Sequence, residues 1–152
     1  EGATTLIGGG AGDILFAAGA TGDLLVAGSG NTTLSGGTST GNNTFMSGSG
    51  NDLIIGGIGS DTIFAGGGDD TVFGGGGADV YNFLNALTTG GSFTIGDFAP
   101  GADKIDLSGY KGSINQLLNS QVNTPAGTII SLSDGTQITF TGLDELKRSD
   151  IV

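Results

Sequence analysis

The chain of 152 residues contains no cysteine, no histidine and no tryptophan. Without histidine and cysteine it cannot form a zinc site of the common kind, a Ser-His-Asp triad or a cysteine nucleophile site. Most familiar hydrolase chemistries are therefore excluded from this chain. The lack of cysteine also means that no disulfide offsets the backbone entropy that its 33 glycines lose on folding.

Positive charge is nearly absent. The chain has 4 basic and 15 acidic residues, for a net charge of −11, and every basic residue lies after position 100. This argues against nucleic-acid binding, because nothing basic faces a phosphate backbone. No run of about 20 apolar residues occurs, which predicts that no segment spans a membrane. Such an acidic segment is either a solvated surface or a cation-binding region, and the regular spacing of its acids favours the second.

A large apolar residue recurs at almost constant spacing through the first 82 residues. Its positions are Leu6, Leu15, Leu25, Leu34, Phe45, Ile54, Ile63, Val72 and Tyr81. The intervals are 9, 10, 9, 11, 9, 9, 9 and 9 residues, so one unit repeats with two small insertions. This period fits neither a coiled coil nor an amphipathic helix. It fits a strand of three residues followed by a glycine-rich turn of six.

Two such units are predicted to form one complete coil. Successive coils would then stack so that their strands run parallel, about 4.8 Å apart. The apolar series would point inward, and several coils must stack because one alone cannot bury it. Turns two units apart then lie one above the other, which aligns their aspartates in two columns. Like charges at this distance repel. Calcium would neutralise them, since it takes about six to eight oxygen ligands and accepts backbone carbonyls.

The repeats resemble a known family. Copies such as "GGGAGD", "SGSGND", "GGIGSD", "AGGGDD" and "GGGGAD" are similar to the RTX, or hemolysin-type, calcium-binding nonapeptide. That resemblance implies a right-handed parallel β-roll over 1–82, with degenerate repeats over 1–46 and regular repeats over 47–82. The later stretches "FTIGDFAPGADKIDLSGY" and "ISLSDGTQITFTGLDELKRSDIV" resemble the carboxy-terminal domain of serralysin-type secreted proteases.

The resemblance also implies the ligands of each calcium ion (Ca²⁺). An ion would lie between a turn and the turn two units on, bound by carbonyls and one aspartate from each. The first site is expected to comprise Gly48, Gly50 and Asp52 with Ala65, Gly67 and Asp70. The second is expected to comprise Gly57, Gly59 and Asp61 with Gly74, Gly76 and Asp79.

Other positions of the columns are expected to bind calcium less well. Asn43 faces Asp61 and offers a neutral oxygen, so this pair is expected to hold a weaker ion. Pairs that contain a threonine in place of aspartate should be poor sites. Past Asp70 the repeats end, and Asp97, or alternatively Asp103, is a weaker candidate for completing a site there.

Residues 83–152 are predicted to form a β-rich segment that caps the roll, because an open sheet edge invites aggregation. A short helix is expected over 113–120, with Ser113 as its N-cap. A hairpin around "SDGT" has two possible registers. A two-residue turn would place Ile130 opposite Thr139. A three-residue loop would place Ile130 opposite Phe140 and Leu132 opposite Ile138; we predict this register, because it groups apolar side chains on one face.

The repeat pattern favours an all-β calcium-binding module that folds on calcium. The resemblance to RTX proteins implies that it folds outside a Gram-negative cell and supports type I secretion of a larger protein. The chain opens within the repeat pattern, so we expect a fragment whose parent carries any catalytic activity in a missing amino-terminal part. The end "DELKRSDIV" is either a frayed strand or an uncleaved signal for the exporter, and the resemblance favours the signal. The alternative is a structural or adhesive surface module that self-associates. An enzyme built on Asp97, Asp103 and Asp106 is not expected.

Overall fold

Two parallel β-sheets form the walls of the molecule, and consecutive strands alternate between them. The computed structural model describes residues 2–83 and 90–152. Residue 1, in the predicted roll, and residues 84–89, in the predicted capping segment, lie outside that part. The repeats form β1 (Thr5–Ile7), β2 (Ile14–Phe16), β3 (Leu24–Val26), β4 (Thr33–Ser35), β5 (Thr44–Met46), β6 (Leu53–Gly57), β7 (Thr62–Phe64), β8 (Asp69–Gly75) and β9 (Val80–Asn82).

Each strand of the repeats pairs in parallel with the strand two units on. In the regular part Thr44 lies opposite Thr62, which gives a coil of 18 residues. In the early part Thr5 lies opposite Leu24 and Leu24 opposite Thr44, so the coils there are 19 and 20 residues long. The insertions are absorbed in the turns, and the strands keep their register. The predicted parallel β-roll is confirmed, and it extends through the degenerate repeats.

The repeated apolar residues form the core between the two sheets, as predicted. Leu25, Leu34, Phe45 and Ile54 are fully buried. Leu6 is only half-buried and packs at the margin of this cluster. Leu6 is less covered because β1 is the first strand of its sheet. The apolar residues are therefore buried by the stacking of coils, since one strand of three residues contributes only one inward side chain.

The carboxy-terminal segment extends both sheets rather than forming a separate unit. The added strands are β10 (Ser92–Ile95), β11 (Lys104–Asp106), β12 (Val122–Thr124), β13 (Gly127–Ser131) and β14 (Gln137–Thr141). Strand β10 adds to β8, and β11 adds to β9, so the sheets continue past the predicted boundary at residue 82. Next, β14 joins β10 in parallel, and β13 and β12 follow antiparallel.

The predicted helix is present as α1 (Ile114–Asn119), and the Ser113 side chain accepts a hydrogen bond from the Gln116 N–H at its start. Leu117 is buried and Leu118 packs at the margin of the core. In the described part of the chain no helix combines the length and the apolar character needed to cross a membrane.

The predicted hairpin register is wrong: the three-residue loop begins one residue earlier than predicted, so the paired residues shift by two. Ile130 lies opposite Ile138, and Thr128 lies opposite Phe140. The loop is therefore Ser133-Asp134-Gly135, closed by a hydrogen bond from the Leu132 N–H to the Thr136 carbonyl. Gly135 has a φ of +91°, and a glycine tolerates this conformation at the last loop position. The observed register still groups the apolar side chains on one face, so apolar grouping alone could not choose between the two.

The end of the chain packs against the edge of β11 and is not a frayed strand. Ile151 bridges to Ile105, and the Val152 N–H donates to the Ile105 carbonyl at 3.0 Å. The Lys104 ammonium donates to the Ser149 carbonyl at 2.7 Å. The carboxy terminus thus covers the sheet that β11 would otherwise leave open.

A pair of adjacent isoleucines tests the stacked core. Ile54 is fully buried, whereas Ile55 points outward with 37% of its surface exposed. We expect Ile54→Ala to lower the free energy of unfolding by about 2–5 kcal/mol, because it leaves a cavity between the sheets. Ile55→Ala is the matched control and should cost well under about 1 kcal/mol. Urea denaturation in saturating calcium measures both, and equal losses would contradict this core.

Candidate metal centre

The predicted ligand aspartates stack in two columns, joined by a repeated hydrogen bond. In each column one carboxylate oxygen accepts the backbone N–H of the equivalent residue one coil earlier. The Asp52 N–H donates to Asp70 Oδ1 at 2.8 Å, and the Asp61 N–H donates to Asp79 Oδ1 at 2.8 Å. The structure therefore brings together the two aspartate pairs that the sequence predicted, one in each column.

The second oxygen of each of these four carboxylates has no partner. The Oδ2 atoms concerned are buried and make no hydrogen bond to any described group; they belong to Asp52, Asp61, Asp70 and Asp79. A buried carboxylate oxygen without a partner is costly, because it has lost its hydration. These atoms are oxygens that a hard cation would satisfy.

Aspartates elsewhere in the columns are satisfied by the protein itself. Asp23 accepts from the Thr4 N–H with one oxygen and from the Ala18 N–H with the other, at 2.8 and 3.0 Å. Asp103 likewise uses both oxygens, for the N–H groups of Asp79 and Ala99. The regular repeats therefore differ in structure as well as in sequence. Among the described column aspartates, only theirs have a buried carboxylate oxygen without a hydrogen-bond partner.

Asp13, at the start of the column that contains Asp52 and Asp70, also accepts hydrogen bonds from its own turn. Asp13 Oδ2 accepts from the N–H groups of Gly9 and Gly10 at 2.7 and 3.1 Å. These two hydrogen bonds lower the pKa of the Asp13 carboxyl. A turn that points its N–H groups at its own carboxylate already provides positive potential and has little room for a cation.

The turns that would hold each ion lie directly against one another. In the first site the Gly67 N–H donates to the Gly48 carbonyl at 2.9 Å, and the Gly50 N–H donates to the Gly67 carbonyl at 3.0 Å. Gly48 and Gly50 reach this geometry with φ values of +78° and +137°. A carbonyl oxygen has two lone pairs, so each of these acceptors can still bind a metal.

The second site encloses a small space that contains the expected oxygens. The Gly76 N–H donates to the Gly57 carbonyl at 2.9 Å, which stacks its two turns. A Cβ added to Gly56 would contact both Asp61 Oδ2 and the Gly74 carbonyl oxygen. These two atoms, from different coils, therefore face the same space.

No three acidic or histidine side chains converge in residues 2–83 and 90–152 to hold a metal. A cation at either pair must therefore take most of its ligands from backbone carbonyls. Calcium accepts such ligands, whereas zinc favours the nitrogen and sulfur ligands that this chain lacks. The residues present fit calcium.

Two residues at these sites were not predicted as ligands. Ser47 is fully buried, and its hydroxyl accepts from the Gly66 N–H beside the Gly48 carbonyl. Tyr81 was predicted only as core, but its buried hydroxyl has no hydrogen-bond partner and would meet a Cβ on Gly74 together with Asp79 Oδ2. The signal for Tyr81 was available, since it alone in the apolar series carries a polar atom.

The structure brings Asp97 to a different turn from the one predicted. Phe93, not an acid, lies opposite Asp70 in the next coil. The two oxygens of Asp97 accept from the N–H groups of Gly74 and Gly75, each at 2.9 Å. Asp97 thus links the carboxy-terminal segment, by hydrogen bonds, to the turn of the second site that contains Gly74.

A second ladder runs along the outside of one column, from the residue before each aspartate. The Asn51 N–H donates to Asn31 Oδ1 at 2.9 Å, and the Asp69 N–H donates to Asn51 Oδ1 at 3.0 Å. Ser92 of the cap continues the series by donating to Asp69. Here the later coil donates to the earlier one, the reverse of the aspartate ladder.

Burial raises the pKa of all four carboxyls that have an unused oxygen. Desolvation raises the pKa of the Asp52 carboxyl. Desolvation raises the pKa of Asp61 and of Asp70 to about 6, and that of Asp79 to about 7. The neighbouring carboxylates of Asp103, Asp61 and Asp97 contribute further to the shift at Asp79. Without a cation, these turns disfavour the charged form of their aspartates.

These shifts predict opposite pH dependences with and without calcium. In chelator the folded chain keeps protons that the unfolded chain loses above about pH 4, so its stability should fall as the pH rises through about 6 to 7. In excess calcium the ion displaces those protons, so stability should instead rise over the same range. Far-UV circular dichroism between about pH 5 and 8 measures both. Parallel slopes would contradict the proposed burial of these carboxyls at a metal site.

Comparisons with known proteins agree with this architecture. A sequence model of the RTX calcium-binding nonapeptide repeat matches in four overlapping copies, at residues 17–54, 26–63, 38–72 and 46–81. A search of curated proteins found no match.

Two solved structures share the fold, both from the mannuronan C5-epimerase of Azotobacter vinelandii. The solution structure of its AlgE6R3 subunit is 25% identical, with a TM-score of 0.61, and covers 82% of this chain and 78% of that one. The AlgE6R2 subunit is 23% identical, with a TM-score of 0.59, and covers 84% of this chain and 90% of that one. Residues 17–81 of the chain therefore carry repeats of the RTX calcium-binding nonapeptide type.

Proposed function

We propose that the chain is a calcium-dependent folding module that becomes ordered outside the cell and supports type I secretion of a larger protein. The observation that carries this proposal is the set of four buried Oδ2 atoms without partners, arranged as two stacked pairs. Each pair brings two carboxylates toward one ion, so its formal charge matches that of calcium.

The ligands we propose are those that the repeat pattern implies. One ion would be held by Asp52 and Asp70 with carbonyls of Gly48, Gly50, Ala65 and Gly67. The other would be held by Asp61 and Asp79 with carbonyls of Gly57, Gly59, Gly74 and Gly76. Ser47 Oγ and Tyr81 Oη would supply further oxygens at the margins of the two sites.

Calcium binding would supply much of the folding free energy of the regular repeats. The glycines lose much backbone entropy on folding, and the buried carboxylates resist ionisation until a cation arrives. Extracellular calcium modules bind at about 10⁻⁴–10⁻³ M. Sites of this strength would stay empty in the cytosol and fill outside it. The chain would therefore thread an exporter unfolded and fold after export.

The coupling of calcium to folding is testable with two neighbouring aspartates. In chelator near neutral pH, far-UV circular dichroism should show a largely disordered chain, and calcium should induce β-structure. Asp70→Asn removes a charged ligand, a loss of about 1.5–3 kcal/mol. We expect the calcium concentration at the folding midpoint to rise roughly ten- to a hundredfold.

Asp69→Asn is the matched control for this experiment. Asp69 is exposed, and its hydrogen bond from the Ser92 N–H needs only an oxygen that asparagine retains. Its midpoint should move little, although the change of charge is the same. A wild-type chain that is equally folded in chelator, or equal shifts for both variants, would overturn the proposal.

A pair of glycines tests the second site without a change of charge. A Cβ on Gly74 would meet Asp79 Oδ2 and Tyr81 Oη, whereas a Cβ on Gly76 has no neighbour closer than 3.4 Å. We expect Gly74→Ala to abolish or strongly weaken one of the two calcium sites in a calorimetric titration. Gly76→Ala should retain both, because the added Cβ makes only ordinary contacts and displaces no ligand. Equal calcium binding by the two variants would contradict the placement of this site.

The packed carboxy terminus bears on secretion. If residues 144–152 are the signal read by the exporter, their contact with β11 would hide them once the module has folded. Export would then have to precede folding, which agrees with a chain that folds only when it meets calcium outside the cell.

A self-associating surface module is the second candidate. Strands β1 and β2 end the two sheets without a further described neighbour, and Ile14 and Phe16 expose 61% and 62% of their surfaces there. Calcium-dependent oligomers in light scattering would favour this candidate over an isolated folding module.

A further inference from the structure

Asn43 stands in the same column as Asp61 and Asp79, but both the oxygen and the nitrogen of its side-chain amide form hydrogen bonds within the protein. It is almost fully buried, at 1% exposure. Its Oδ1 accepts from the Asp23 N–H at 3.0 Å. Its Nδ2 lies 3.5 Å from the Gly56 carbonyl oxygen, toward which it donates.

The turn that carries Asn43 supplies a second protein bridge. Ser39 lies in the longer turn at residues 36–43 and is buried. Its hydroxyl donates to the Gly19 carbonyl at 3.0 Å and accepts from the Gly41 N–H at 3.3 Å. Its own carbonyl accepts from the Ile58 N–H at 2.9 Å. The turns before and after this one are therefore joined to it by hydrogen bonds.

A calcium ion requires oxygens to converge on it. Between Asn43 and Asp61 the group that faces the Gly56 carbonyl is an amide N–H, which is a donor and cannot bind a cation. At the equivalent position of the next pair stands a carboxylate. The gap between Asn43 and Asp61 therefore differs from the gap between Asp61 and Asp79 by one group: an amide nitrogen stands where the other gap has a carboxylate oxygen.

We propose that the Asn43 amide takes the place of a calcium ion between the turn at 36–43 and the turn at 56–61, and so determines that this gap binds no metal. This inference rests on the proposed calcium-dependent function. It replaces the sequence-based expectation that Asn43 and Asp61 hold a weaker ion. The column containing Asp61 then binds one ion, between Asp61 and Asp79.

Asn43→Asp tests the assignment, because it removes the donor and restores the carboxylate pair. In calorimetric titrations the wild-type chain should bind two calcium ions and the variant three. The variant should also need more calcium to fold, since its new buried carboxylate has no partner without the ion. Asn42→Asp is the matched control. Asn42 is exposed and accepts from the Ser60 N–H through Oδ1, which a carboxylate preserves, so this variant should still bind two.

Asn43→Ala separates a bridging role from a ligand role. If the amide is a bridge, the variant still binds two ions but has a lower thermal midpoint in saturating calcium. If Asn43 is a ligand, wild type binds three ions and the alanine variant two, which would overturn the inference. Two ions in both wild type and Asn43→Asp would also overturn it while leaving the proposed function intact. A wild-type chain that binds no calcium would instead remove the proposed function.

Discussion

Four aspartates of the regular repeats each use one carboxylate oxygen to accept a backbone N–H of the coil before, and leave the other oxygen buried without a hydrogen bond; they are Asp52, Asp61, Asp70 and Asp79. The first oxygen fixes the register of the coils, and the second creates a cost that only a proton or a cation relieves. In the regular repeats, the stacking of the glycine-rich turns and the raised pKa values both depend on this division of roles between the two oxygens of each carboxylate.

The same residue type is satisfied differently along one column. Asp23 and Asp103 receive N–H groups from the protein on both oxygens, whereas Asp61 and Asp79 do not. Asn43 lies between these two kinds of turn. The turn that carries Asn43 is linked to its neighbours by hydrogen bonds within the chain, so the stability of this turn should not follow the calcium concentration. The regular repeats are bounded on both sides by turns that need no ion.

Spacing alone predicted the parallel sheets, the inward apolar series and the two aspartate pairs, because a fixed period forces equivalent residues to stack. It could not predict the hairpin at Ser133-Asp134-Gly135, since registers two residues apart group the same apolar side chains. Nor could it predict that Asp97 binds the turn at Gly74, because that contact joins segments outside the repeat. The role of Ser39 depends on an insertion, where the period gives no information.

The two hydrogen-bond ladders explain how so flexible a sequence keeps its register. In the aspartate ladder the earlier coil donates to the later one, and its acceptors are carboxylates that require neutralisation. In the outer ladder the later coil donates to the earlier one, and Asn31 and Asn51 accept without any charge. Each ladder links a coil to the coils before and after it, so side chains hold the coils together in addition to strand pairing. Loss of calcium would remove the neutralisation of the inner ladder while the outer ladder could still specify the register. Refolding would then require the ion for stability and the asparagines for alignment.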